Sequence, residues 1–160
     1  FCGMNLKWYF CDYVQFLCKT MITLEEALLM GTNAPKQHQR VIARLTTRLT
    51  NRYEDDEIAL EALPETMLDE GQTSPTPDII LYDNILSTTP VIIEITHTDG
   101  VKKDLHKIRR LIEEDYYGIR EGFVYDYKRN EWYKYALGVG DITDRPSFCE
   151  AINLDLATLL

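Results

Sequence analysis

Residues 91–96, Val-Ile-Ile-Glu-Ile-Thr, constrain this chain more than any other stretch. Nearly all are apolar and β-branched, the composition of a central strand buried on both faces. Pro90, just before them, suits the first position of a strand. Glu94 is the exception: a carboxylate in the middle of such a strand is costly unless it binds a cation or is hydrogen-bonded. By the period of two, Glu94 and Thr96 share one face. Ile93, Ile95 and His97 share the other, which turns His97 away from Glu94.

A second apolar run carries a second carboxylate. Asp78 stands directly before Ile79-Ile80-Leu81-Tyr82, a strand entered from the rigid turn at Pro77, at the end of a loop over 70–77. After Thr98-Asp99-Gly100 the spacing of Val101, Leu105, Ile108 and Ile112 predicts a helix over 101–114, with Asp104 and Lys107 one turn apart at the flank of its stripe. Two apolar runs with one carboxylate each, followed by a lysine, form a pattern suited to divalent-metal chemistry on phosphodiesters. A hard cation such as Mg²⁺ or Mn²⁺ takes oxygen ligands, typically carboxylates and waters. It polarises the phosphate and lowers the pKa of the attacking water. Asp78 and Glu94 would supply the carboxylates and the Ile95 carbonyl a third oxygen; a nearby lysine would orient the water or stabilise developing charge. Each residue also has a plainer reading. Asp78 after proline suits a turn, Lys107 suits a surface pair with Asp104, Thr96 is an ordinary strand residue and His38 an ordinary helix residue.

Upstream, Leu6, Phe10, Leu17 and Met21 favour an amphipathic helix over 4–21, the aromatic content also allowing a strand, and the aromatic stripe is packing surface, in part for a second copy of the chain. Thr23-Leu-Glu-Glu26 is a capping box opening a short helix over 24–30 that stops at Gly31. Asn33-Ala-Pro35 then begins a helix to about Tyr53, with Val41, Leu45 and Leu49 as its buried stripe. Beside them Arg40, Arg44, Arg48 and Arg52 recur every four residues, about 6 Å apart along the axis. Such a row can track a phosphate backbone; it can equally be a solvated face paired with the acidic run Glu54-Asp55-Asp56-Glu57. Residues 65–69, after Pro64, are the expected first strand. Tyr116 and Tyr117 are expected in the core. Residues 122–127 and 131–135 predict a hairpin turning at 128–130, and 151–154 a short strand.

A chain of 160 residues fits one domain with a sizeable core. The expected organisation is an apolar N-terminal extension over 1–20 and a single domain over 21–160. The net charge of −9 opposes long-range attraction to nucleic acid, so any such site must be a local basic patch. Cys2, Cys11, Cys18 and Cys149 form no CxxC pair and no zinc-like cluster. They read as free thiols of a reducing compartment. The run from Leu6 to Cys18 is too short and too polar to span a bilayer, and the expected location is cytoplasmic.

Pro77-Asp78, a gap, then Glu94-Ile95-Thr96 resembles the PD-(D/E)XK motif of the restriction-endonuclease-like superfamily. More narrowly, the chain resembles the Uma2 family (also called DUF820), whose members are classed as restriction endonucleases. Met21-Ile-Thr-Leu-Glu-Glu26 resembles that family's opening helix, and Pro35-Lys-Gln-His38-Gln its His-bearing helix. Asp104-x-x-Lys107 with Gly122-Phe-Val-Tyr-Asp126 resembles its Asp-x-x-Lys segment and following strand. The match covers about residues 21–157. The position two after the glutamate, a lysine in the superfamily, holds Thr96 here. The resemblance implies that Lys107 substitutes from the next helix and that His38 borders the site. It implies an α/β fold with a mixed central sheet flanked by helices. The expected activity is Mg²⁺- or Mn²⁺-dependent cleavage of nucleic acid, DNA before RNA, with a homodimer as the possible assembly. The alternative is an inactive member of the same fold acting as a binding or assembly module.

Overall fold

The computed structural model describes residues 35–160 apart from 70 and 72. The helices expected over 4–21 and 24–30, the capping box at Thr23, the cap at Asn33 and the extension over 1–20 lie outside the described residues. Helix α1 spans Lys36–Glu54, with Pro35 at its N-terminal boundary. Its buried side chains are Ile42, Leu45 and Leu49. Val41, expected in that stripe, is only half buried. Steps of three and four hold a helical face, whereas repeated steps of four rotate off it, so residue 42 takes the central place.

Six strands form one sheet in sequence order: β1 (Glu61–Pro64), β2 (Ile79–Asp83), β3 (Thr88–Thr96), β4 (Glu121–Asp126), β5 (Glu131–Ala136) and β6 (Gly140–Ile142). Only β3 and β4 pair in parallel; the other neighbours are antiparallel. Parallel neighbours need a crossover, and α2 (Val101–Glu113) supplies it. The first strand is not 65–69 as expected. It ends at Pro64, which is tolerated because β1 is an edge strand. Glu65 then takes φ 47° and gives its N–H to the Asp78 carbonyl, which breaks the extended run.

Alternation along the strands divides the core. Ile79, Leu81, Val91, Ile93, Ile95 and Phe123 pack on one face with α1 and the C-terminal segment. Ile80, Ile92 and Val124 pack on the other with Ile108, Leu111 and Ile112 of α2. Leu105, expected in the α2 stripe, is half buried, and Leu111 is inside instead. Gly122 is needed on β4, because a Cβ there would collide with Ile108 Cγ2 and push α2 off the sheet. Tyr116 is exposed rather than in the core, and Tyr117 is half buried. The helix has ended by then, with Asp115 at φ 49°.

The β4–β5 hairpin turns where expected. Asp126, fully buried, accepts the N–H groups of Lys128 and Arg129 and the Thr98 hydroxyl, which holds the turn against the end of β3. Residues 151–154 do not form the expected strand. A 3-10 helix runs over Glu150–Ile152, between β7 (Phe148–Cys149) and β8 (Leu154–Asp155). The Glu121 carboxylate accepts the Glu150 and Ala151 N–H groups and winds that turn. Cys149 is a free, buried thiol, pushed up to about 12 by burial. Among the described residues, no helix is long and apolar enough to cross a membrane.

Candidate functional site

The β2–β3 ladder ends at the Ile79–Ile93 pair. The next β3 N–H on that side, Ile95, therefore has no strand partner, and Asp78 Oδ2 accepts it at 2.7 Å. An antiparallel strand sends the N–H and C=O of one residue to the same side, so the Ile95 carbonyl also faces the Asp78 edge. His38, from the first turn of α1, brings Nε2 to 3.2 Å from the same Asp78 oxygen. That hydrogen bond raises the His38 pKa above its ordinary value, against the opposing effect of burial. Asp78 Oδ1 carries no protein hydrogen bond among the described residues.

Glu94 points to the opposite face, toward α2. There Lys107 Nζ lies 2.6 Å from Glu94 Oε1. The Lys107 side chain is 29% exposed and that of Glu94 7%. The contact is close but poorly aligned, and Oε1 has no directed hydrogen bond. Burial pushes the Glu94 carboxyl up to about 7; Lys107 opposes that rise, and Asp78 and Asp104 add to it. Lys107 also reaches the Thr76 carbonyl at 3.4 Å, in the loop that leads to Asp78. The Asp104–Lys107 surface pair offered by the sequence does not form: Lys107 pairs with Glu94.

Thr96 occupies the position of the motif lysine and is buried. Gly100, just before α2, packs against it so closely that a Cβ on Gly100 would collide with Thr96 Oγ1. The helix start thus fills the space above residue 96, and the cation arrives two turns along α2.

A cleft of about 250 Å³ joins these groups, lined by His38, Asp78, Glu94, Ile95, Thr96 and Asp104 together with Pro35, His97 and Tyr127. The six sequence candidates apart from the arginines and Lys107 thus converge. His97, which alternation sends away, lies at the exposed rim, because β3 stops at Thr96 and strand alternation no longer governs the next residue. Tyr127, which the sequence left unmarked, closes one wall. Its N–H is taken by the Thr96 carbonyl, the last link between β3 and the β4–β5 turn.

The four arginines of the row differ in their partners. Arg52 pairs with Glu57, so the acidic run does neutralise that end. Arg48 donates to the Leu160 carbonyl at 3.3 Å. Arg40 and Arg44, the two nearest the cleft, are exposed and have neither an ion pair nor a hydrogen bond among the described residues.

A mixed sheet whose one parallel pair is bridged by a helix, with a second helix on the other face, is the restriction-endonuclease-like α/β fold. Among solved structures the chain is similar to a presumed nuclease belonging to DUF820 from Anabaena variabilis ATCC 29413. The TM-score is 0.58 at 16% identity, over 79% of this chain and 81% of that one. It is also similar to the type IIG restriction endonuclease BpuSI, with a TM-score of 0.48 at 10% identity, over 72% of this chain and 15% of that one. No family model and no curated protein matches the sequence. The first likeness establishes the fold, and it falls in the family that the motifs resemble.

Proposed function

We propose that this protein is a divalent-metal-dependent nuclease that hydrolyses phosphodiester bonds, of DNA before RNA, at the Asp78–Glu94 end of its sheet. The observation that carries this reading is the 2.6 Å contact between Lys107 Nζ and Glu94 Oε1. A helix-borne ammonium stands at the carboxylate although the motif position holds Thr96, so the site does not lack its cation.

The residues present fit a hard cation. Among the described residues no cluster of three or more His, Cys, Asp or Glu that could hold a metal is assembled, so most of the ligands of any bound cation would have to be waters and substrate oxygens. Two carboxylates and a carbonyl, completed by waters, suit Mg²⁺ or Mn²⁺. Glu94 Oε1 is buried and met by the Lys107 ammonium at 2.6 Å, so Glu94 would hold a cation beside that lysine. When bound, the metal would polarise the phosphate and acidify the attacking water. The protein's own groups do the rest. Asp78 is held in place by the Ile95 N–H and His38. As a ligand Glu94 would be ionised, a state that the adjacent Lys107 ammonium favours. Lys107 stabilises negative charge developing on the phosphate.

One observation favours the second reading, an inactive binding module. Lys107 already neutralises Glu94 with no metal, so the pair is self-sufficient as structure. The two readings part in one assay. Purified protein is incubated with labelled DNA or RNA in Mg²⁺, Mn²⁺ or EDTA, beside Glu94→Gln, and Mn²⁺ binding is measured by calorimetry. The nuclease reading expects metal-dependent cleavage that falls by about 10³-fold or more in Glu94→Gln, about 4 kcal/mol of lost transition-state stabilisation. A clean preparation that binds no Mn²⁺, or a Glu94→Gln protein that cleaves as well as wild type, sinks it.

A further inference from the structure

A second pocket, of about 190 Å³, lies against the first, with Gln37, Arg40, Arg44, Tyr125, Tyr127 and Asn130 among its lining residues. Tyr127 is the partition, since it lines both cavities. It is held from the pocket side by Gln37, whose Nε2 donates to the Tyr127 carbonyl at 3.3 Å. On the other side the His38 ring meets its edge, with centroids 6.4 Å apart. The pocket therefore opens next to the candidate catalytic carboxylates and is built on the same elements.

Its chemistry is specific. Arg40 and Arg44 are the two guanidinium groups of the α1 row that nothing in the described protein neutralises, while Arg48 and Arg52 are engaged. Asn130 Oδ1 accepts the Tyr125 hydroxyl at 2.9 Å, which fixes the amide and leaves its two N–H donors without a protein acceptor among the described residues. Asn130 sits at φ 57° in the β4–β5 turn, and buried Asp126 anchors that turn. Two free guanidiniums suit phosphate oxygens. A hollow edged by two oriented carboxamides, one of them tied to the Tyr125 hydroxyl, suits the hydrogen-bonding edge of one base. A base stacked within a duplex cannot enter such a hollow, whereas an unstacked one can.

We propose that this pocket is a nucleotide subsite, holding one unstacked nucleotide of a single strand beside the phosphate to be cut, with Arg40 and Arg44 on its backbone. The inference rests on the nuclease reading and deepens it by naming the substrate form: single-stranded or locally opened nucleic acid. It also explains how a chain of net charge −9 can bind a polyanion, through two uncompensated charges placed at one cleft.

The test is fluorescence anisotropy of labelled oligo(dT) and of a blunt duplex of equal length, with wild-type protein in EDTA so that nothing is cut. Single strand is expected to bind about tenfold more tightly than duplex. Arg40→Ala/Arg44→Ala is expected to lose about tenfold in affinity and to reduce the slope of log K against log salt by about 1.4, the value for two single-strand phosphate contacts. Arg110→Ala/Arg120→Ala removes the same charge elsewhere and should lose under about threefold. Equal losses in the two double variants, or duplex bound as tightly as single strand, overturn the proposal. Cleavage with Mn²⁺ is measured in parallel. Wild-type cleavage that persists unchanged in Arg40→Ala/Arg44→Ala sinks the subsite and leaves the nuclease standing. Arginine-dependent binding without cleavage in any metal does the reverse.

Discussion

Among the described residues two lysines meet buried glutamates, at opposite ends of the parallel β3–β4 pair and on opposite faces of the sheet. Glu121 opens β4 on the α1 face, and Lys134 of β5 comes within 2.8 Å of it. Glu94 lies near the end of β3 on the α2 face, against Lys107. The first cluster is saturated. Lys134 also donates to the Phe148 carbonyl and to Glu150, and both Glu121 oxygens accept backbone N–H groups. Burial alone would lower the Lys134 pKa; its contacts with Glu121 and Glu150 raise it instead. The Lys134 side chain is 1% exposed. The second cluster is open: Glu94 Oε1 lacks a directed partner, Lys107 is partly exposed, and a cleft stands in front. A buried charge whose every hydrogen bond is met holds structure together, here by tying the C-terminal segment to the sheet. A buried carboxylate beside a cavity, met by one partly exposed lysine, is the arrangement that the proposed metal site would use.

The contrast breaks most visibly at Lys134. Lys134→Ala leaves Glu121 buried without its cation and should destabilise the fold by about 3–5 kcal/mol, read by urea unfolding. If the loss is under about 1 kcal/mol, the cluster is not the tie described. Next in size is Lys107→Met. It should cost under about 1 kcal/mol of stability, since Glu94 then keeps its proton. Cleavage at neutral pH should nevertheless fall about 10²-fold. A large stability loss with unchanged cleavage would make the two clusters equivalent.

The smallest effect concerns pH. Glu94 has an ordinary value of 4.5 and is pushed up to about 7 in the fold. The folded state therefore holds this proton more tightly than the unfolded one. Its contribution to stability is full below pH 4.5 and is lost as pH rises through about 7, up to about 3 kcal/mol in all. Glu94→Gln should match wild type near pH 4 and exceed it by about 1–3 kcal/mol at pH 8, in EDTA. A pH-independent difference would mean that Glu94 is already saturated in the way Glu121 is.

Much of the fold was legible because it is local. The three- and four-residue spacing located α2 and the end of α1 to within about a residue, α1 beginning two residues later than the expected cap implied, and the alternating, aromatic run around Lys128-Arg-Asn130 located the hairpin. The failures in strand bounds and rim residues depend on where the strands pair and stop. Pro64 ends a strand only because β1 is an edge, which depends on the pairing of β1 with β2. Residues 150–152 coil because a carboxylate 29 positions away in sequence, Glu121, accepts their N–H groups. His97 returns to the cleft rim because β3 stops one residue earlier. In the candidate site, the oddity of Glu94 within an apolar strand was visible in the chain, and so were the Asp78 turn and the lysine after them. The division of the arginine row was not, since it depends on which partners reach each guanidinium.

Sequence alone was enough to set residues 91–96 as a buried central strand bearing a carboxylate that needs a cation or a hydrogen bond, because hydrophobic period and β-branching act over a few neighbouring residues. Which cation answers was a matter of packing. Thr96 lies beneath Gly100 and leaves no room there, and the β3–α2–β4 crossover lays Lys107 on Glu94. That convergence joins residues 13 positions apart on two different elements, and no periodicity within either one encodes the distance between them.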